Sequence, residues 1–272
     1  RKRIVQPPRK RATEEKHMSP KTADFLIVGA GSAGCVIANR LSADPANRVI
    51  LLEAGGQDVN PWIHVPVGYY KTMHNPNTDW CYKSEPDPGL NGRSLDWPRG
   101  KTLGGSSSIN GLLYVRGQKE DYDRWAQRGN KGWSYDDVLP LFKRSESHEN
   151  GEDDFHGGDG GLSVSLIRAK SDISEAFINA AVEMGVPRTE DYNGADQEGA
   201  GYFHQTARGG FRCSSARAFL NPAKKRPNLE VITHAHTESL IFDPNDPSRI
   251  VGVRYSRRGK TQEAHLNDGG EV

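Results

Sequence analysis

Four apolar residues in a row, Phe25-Leu26-Ile27-Val28, open the first patterned stretch of the chain and stop at a glycine. A short run without polar alternation predicts a strand buried on both faces of a parallel sheet. Gly29-Ala30-Gly31-Ser32-Ala33-Gly34 follows, and then Cys35–Leu41 keeps helical spacing until Asp44-Pro45 stops it. A second apolar run, Val49–Leu52, ends at Glu53. Strand, glycine turn, helix, strand and acid predict one βαβ unit. From Gly55 to Gly105 periodicity fades among Pro, Gly, Asn, Asp and Trp, and loops of that length inside a compact protein are usually functional. Helical spacing returns at Asp121–Gln127 and at Tyr135–Ser145, where Ser134 predicts an N-cap. A short strand is expected at Leu162–Leu166. Ser174–Met184 predicts an amphipathic helix with Ala176, Phe177, Ala180, Ala181 and Met184 on its apolar face. The last third alternates like sheet at Leu229–Thr233, Leu240–Phe242 and Ile250–Tyr255, with Asp243–Pro247 as a turn. Asn267–Gly270 reads as a further turn and Glu271-Val272 as the first residues of another strand, an odd place for a natural terminus.

Composition narrows the classes. The chain has 272 residues, enough for one large domain or two intertwined ones. Thirty-six Lys and Arg against 35 Asp and Glu leave no basic footprint, so nucleic acid is not expected as a partner. No apolar run approaches the roughly 18–20 residues that span a bilayer. Cys35, Cys81 and Cys213 form no CxxC pair, which speaks against a disulfide framework or zinc knuckle and fits a reducing, cytoplasmic setting. The first 21 residues differ: eight basic side chains, Pro7 and Pro8, and almost nothing apolar predict a disordered tail. A nucleic-acid or membrane arm, a transit-peptide remnant and a foreign leader before Met18 are its three readings, the last preferred. Peripheral contact with the inner membrane stays open.

The glycine turn carries the first chemistry. Gly29 would make the tight turn, Gly31 would let backbone approach a pyrophosphate, and Gly34 would let helix pack on strand. The amides of Ser32 and Ala33 would point at phosphate, helped by the helix dipole. Glu53, at the end of the second run, would accept hydrogen bonds from a ribose 2′-OH and repel a 2′-phosphate. FAD and NAD both satisfy this pattern. Gly-Lys-Thr at 100–102 is not a phosphate loop, because Leu95 stands where that motif needs glycine. His234 and His236 share a strand face in this reading and imitate a metal pair, but no third ligand accompanies them and no metal is expected.

A second glycine segment decides between the cofactors. Gly100-Lys101-Thr102-Leu103-Gly104-Gly105-Ser106-Ser107-Ser108-Ile109-Asn110, running on through Tyr114, Gly117 and Asp123, resembles the signature of the glucose–methanol–choline oxidoreductases, spacing included. Asp79-Trp80-Cys81-Tyr82, Trp97-Pro98-Arg99, Gly132-Trp133-Ser134-Tyr135, His156-Gly157 and Ser214–Leu220 resemble the family too, over roughly Thr22 to Val272. Within it the chain is most similar to choline dehydrogenases and bacterial alcohol dehydrogenases. The resemblance implies an α/β fold: an FAD-binding, Rossmann-like domain with a parallel sheet over residues 22–145 and 226–272, and part of an α+β substrate domain at 146–225. It also implies an enzyme that oxidises a primary or choline-like alcohol to the aldehyde by hydride transfer to flavin N5, passing electrons to a quinone or another non-oxygen acceptor. An oxidase using O₂, and a catalytically inactive nucleotide-binding fragment, are the alternatives. The implied cofactor set adds Ala54, Arg99, Gly104, Gly105, Ser106, Asn110, Gly111, Leu112, Leu113 and Thr237 to Gly29, Gly31, Ser32, Ala33, Gly34 and Glu53. Ile109 stands where members with covalent FAD carry histidine, so non-covalent flavin is expected. The family's catalytic histidine lies farther toward the C-terminus than Val272, members continuing for about as long again, so no catalytic residue is assigned.

Overall fold

The computed structural model describes residues 21–272. The predicted basic tail lies outside them except for Lys21, which is strand rather than tail: it opens β1 (Lys21–Val28), and its ammonium pairs with Glu230. The chain then runs through α1 (Ser32–Leu41) to β2 (Val49–Leu52). β1 and β2 are adjacent and parallel, Phe25 opposite Val49 and Val28 opposite Leu52. Parallel neighbours need a crossover, and α1 provides it.

All four residues of β2 are at most 1% exposed, which explains a run with no polar position. On one face Val49 and Leu51 join Ile27, Cys35 and Ala38 of α1, and Ala216–Ala223. On the other, Ile50 and Leu52 join Leu26, Ile232 and Val253. A register shift between Ala23 and Phe25 lets Ala23 share the face of Leu26, although the two are three positions apart.

The chain re-enters this sheet late. β3 (Leu229–Ile232) pairs in parallel with the far edge of β2. β4 (His236–Asp243), β5 (Asp246–Arg257) and β6 (Lys260–Glu271) form an antiparallel meander that brings β6 back alongside β1, in parallel. The order is β3-β2-β1-β6-β5-β4. The predicted strands around 240 and 250 are the middles of longer ones, and the turn between them shrinks to Pro244–Asn245. The reading of Asn267–Gly270 as a turn is overturned, since those residues lie inside β6. Their turn-like chemistry becomes an irregularity in the pairing with β1. Asn267 donates to Asp24 at 2.8 Å, Gly269 adopts φ +77°, and a Cβ at Gly270 would lie 2.6 Å from the Asp24 carbonyl. The actual turn is Arg258–Gly259, both at positive φ, as a tight hairpin requires.

Away from the sheet, α2 (Lys119–Gln127) and α3 (Tyr135–Ser145) pack together. Ser134 caps α3 reciprocally with Asp137. α4 (Asp172–Glu183) starts two residues earlier than its spacing predicts because Ser171 is its cap. The face of α4 carrying Phe177 and Met184 is turned outward, 75% and 86% exposed, and its buried residue is Ile178. The predicted strand at 162–166 ends at Val164. No helix among the described residues is long and apolar enough to cross a membrane.

Candidate cofactor site

At the carboxyl ends of β1, β2 and β3 the sheet opens into a cleft of about 550 Å³. Gly29, Gly31, Ser32, Glu53, Ala54, Arg99, Gly105, Ser106 and Thr237 line it, nine of the sixteen residues named from sequence. Ligands of open α/β sheets bind in such crevices. Each glycine has a distinct reason to be there. Gly29 sits at φ +93°, a conformation that favours glycine. A Cβ on Gly34 would lie 1.9 Å from the Gly29 carbonyl oxygen, so α1 can start this close to β1 only without one. A Cβ on Gly31 would meet nothing within 4 Å, leaving its backbone open to the cleft. Gly104 and Gly105 belong to the second loop, which docks on the first. Gly104 N donates to Ala30 O at 2.7 Å, and a Cβ on Gly105 would sit 2.7 Å from Gly31 Cα.

Ser32 and Ala33 are exposed at the start of α1, where no side chain caps the helix and no acid occupies the first turn. Their end of the helix therefore keeps its unsatisfied N–H groups and partial positive charge for an anion. Glu53 is only 5% exposed. Its Oε2 accepts from Ala30 N and its Oε1 from Gly55 N, both at 2.8 Å. Burial raises its pKa, against those two N–H donors and the nearby Lys101. Glu53 thus closes the glycine turn as well as facing the cleft. A carboxylate has about four lone-pair positions, so acceptor capacity remains.

Asn110, Gly111, Leu112 and Leu113 lie outside that cleft, on a stretch where Asn110, Gly111 and Leu113 are exposed and Leu112 is buried at φ +66°. Ile109 is 2% exposed and points into the interior. The metal-pair reading fails on geometry. His234 sits at φ +56° in the bend before β4, so it shares no strand face with His236, and no cluster among the described residues could hold a metal.

Three polar anchors, two of them (Asp79 and His156) inside segments that resemble the family, receive no role from sequence, because the groups they bind come together only in the fold. Asp79, 1% exposed, accepts from His74 N (2.7 Å), Arg99 N (2.8 Å) and Cys81 N (3.0 Å). Burial pushes this carboxyl up, but the N–H groups of Arg99, Cys81 and His74 outweigh it and hold the pKa below the usual range. Asp79 thereby carries Trp80 and Arg99 to the cleft, where Trp80 meets His236 edge-on at 5.4 Å and Lys101 caps its ring. Arg212 is the second anchor, fully buried beneath Asn110. The third is a buried knot in which His156 bonds Glu146 (3.0 Å) and Asp191 (2.8 Å), while Arg116 holds the other oxygen of Glu146. Burial works against charging His156, yet the two carboxylates lift its pKa to about 9.

Comparison with known proteins agrees with this geometry. The chain is 46% identical over 250 residues to an alcohol dehydrogenase (acceptor) of Pseudomonas putida, covering 92% of this chain and 45% of that protein. It is 47% identical over 245 residues to an oxygen-dependent choline dehydrogenase of Sinorhizobium medicae, covering 90% and 44%. The chain thus spans somewhat under half the length of these relatives. Among solved structures, pyridoxine 4-oxidase from Mesorbium loti superposes with a TM-score of 0.84 at 33% identity, over 90% of this chain and 48% of that one. Formate oxidase gives 0.81 at 27%, over 91% and 44%. The family profile described as GMC oxidoreductase matches residues 23–269, and the chain belongs to that family.

Proposed function

We propose that this chain is the FAD-binding part of an enzyme that oxidises a primary or choline-like alcohol to the aldehyde. The observation carrying the reading is the pair of interlocked glycine loops at one cleft, closed by a buried acid. Its donor set fits FAD: free helix-terminal amides for the diphosphate, the Glu53 carboxylate for ribose hydroxyls, and Trp80 with His236 as an aromatic wall for a flat base. FAD held there would accept a hydride from the alcohol carbon at its N5. The residues of this chain bind and orient. Ser32 and Ala33 would present N–H groups, Glu53 would accept hydrogen bonds from the ribose hydroxyls, and the glycines would bring backbone close by carrying no side chain. Ile109 offers no nucleophile, which supports non-covalent attachment. Of the segment 146–225, the part before about residue 213 would contribute to a substrate domain, since Cys213 and Ala216–Ala223 pack with α1 and β2.

For the electron acceptor we favour a quinone or another non-oxygen carrier, in line with the acceptor-type alcohol dehydrogenase among the relatives. The relatives named as oxygen-dependent and the two oxidase structures support O₂ as the second reading. Stopped-flow mixing of the alcohol-reduced full-length protein with air-saturated buffer separates them. Reoxidation slower than turnover with an artificial dye supports the first, and reoxidation at the turnover rate overturns it. A purified full-length protein that carries no flavin and reduces no dye would overturn the whole reading.

A further inference from the structure

Arg212 is the bulkiest fully buried side chain among the described residues, at 1% exposure. Its guanidinium donates from Nε to Ile63 O (2.8 Å), from Nη1 to Ser107 O (3.1 Å) and Asn110 Oδ1 (2.7 Å), and from Nη2 to Asn110 O (2.7 Å). Every acceptor is a neutral carbonyl, and no described carboxylate belongs to this hydrogen-bond shell. Burial lowers its pKa only to about 10, so it is charged at neutral pH. Taking an unpaired cation out of water is costly, and an apolar side chain of similar volume would avoid that cost only by leaving the carbonyls of Ile63, Ser107 and Asn110 without these donors. Apolar packing alone therefore does not account for an arginine here.

Asn110 does account for it. Its Oδ1 also accepts from Leu112 N at 3.1 Å. Both partners of that atom are pure donors, so the atom facing them must be the amide oxygen and Nδ2 must face the other way. Asn110, Gly111 and Leu113 are exposed, so Nδ2 looks out over an open ledge. The ledge is held hard. Leu112 is kept in the left-handed region at φ +66°, and its carbonyl is gripped by Thr206 N (2.9 Å) and Thr206 Oγ1 (3.3 Å). Strained backbone that its surroundings over-determine is a mark of functional segments.

We propose that Arg212 is a positioning residue for the flavin, locking the Asn110 amide with its N–H donors outward and setting a fixed positive charge behind the 110–113 ledge. The inference rests on the FAD reading above and takes the flavin ring to extend past Gly105 and Ser106 to Asn110, beyond the cleft that would hold the rest of the cofactor. A ring that gains negative charge on reduction is held more tightly in its reduced form beside a buried cation, because low dielectric leaves the attraction unscreened. Arg212 thus tunes the potential of the bound flavin without touching substrate.

The test uses the flavin-loaded protein as purified. Asn110→Asp keeps an acceptor for both inward donors and pairs with Arg212, so the fold survives, but it removes the outward N–H donors and cancels the charge. FAD affinity should fall about tenfold or more. The flavin midpoint potential, read by dye-equilibrated spectrophotometry, should fall by about 30 mV, which is tenfold for a two-electron couple. Arg212→Met should lower the potential similarly, and Arg212→Lys should restore it in part because the charge returns. A folded Asn110→Asp protein with unchanged affinity and potential overturns the proposal while leaving the FAD reading intact. An unsubstituted protein that binds no flavin overturns both.

Discussion

Replacing Asp79 probes the loop that delivers Trp80 and Arg99 to the cleft. Its carboxylate receives three backbone N–H groups, two on Oδ1 and one on Oδ2. Asparagine can keep its oxygen toward Cys81 and Arg99, but then it sets an N–H₂ group against the His74 N–H. One charge-assisted bond is lost, and the remaining two become neutral. Bonds to a charged partner contribute about 1.5–3 kcal/mol each, so Asp79→Asn should cost roughly 2 kcal/mol. Asp79→Ala strands all three buried donors and should cost about 4 kcal/mol, discounted because such contributions do not add fully. For a folded unit of this size that corresponds to a fall in melting temperature of roughly 4–8 °C for Asn and about twice that for Ala. Backbone hydrogen exchange should show loss of protection concentrated between residues 74 and 101, while β1 and β2 stay protected. FAD affinity should weaken in the same order. An alanine variant that melts within a degree of the original and exchanges no faster in that segment would refute the account of Asp79 as the loop's anchor.

Glu53→Gln should weaken FAD binding by about 1–3 kcal/mol, because one ribose acceptor is lost and the amide must also set a donor against Ala30 N or Gly55 N; isothermal titration of the apoprotein measures it, and an unchanged affinity would place Glu53 away from the ribose. His156 has a raised folded pKa, so its contribution is fully present below about 6.5 and is lost as pH rises through about 9. Melting temperature should therefore decline across that window by the equivalent of about 3 kcal/mol. His156→Gln should flatten the decline, and an equally steep profile in that variant would contradict the assignment. Acid precipitation should release free FAD into the supernatant, since Ile109 is buried and has no nucleophile; flavin that stays with the pellet would show a covalent link from another residue.

What could be read in advance depended on whether a residue's reason for being there is local. Val49–Leu52 announced a doubly buried strand because both faces demand apolar side chains, and the glycines announced a close approach because only their missing Cβ permits it. Asp79 and Arg212 gave no such signal. Asp79 binds only backbone N–H groups, and Arg212 binds carbonyls more than 100 residues away, one of them the Asn110 side chain, so neither shows a patterned partner nearby, and an acid or a base in a loop ordinarily reads as solvated surface. The segment at 267–270 misled for the opposite reason. Its turn chemistry is real, but pairing with β1 and the bond to Asp24 absorb it into a bent strand. At His234 alternation suggested a strand where the chain bends, because periodicity does not report a left-handed residue.

The position of β3 has a consequence for biosynthesis. β2 is made before its outer neighbour, which is not complete until the whole stretch from Glu53 to Asn228 has emerged. At typical synthesis rates of about 5–20 residues per second, that leaves one edge of a four-residue apolar strand uncovered for on the order of ten seconds or more. Unpaired edges of this kind recruit other strands. The last wall of the cleft, Ala235–Thr237, arrives later still, so cofactor cannot rescue the nascent βαβ unit. Yield in a heterologous host should therefore respond to chaperone supply and to slower growth temperature before it responds to added riboflavin.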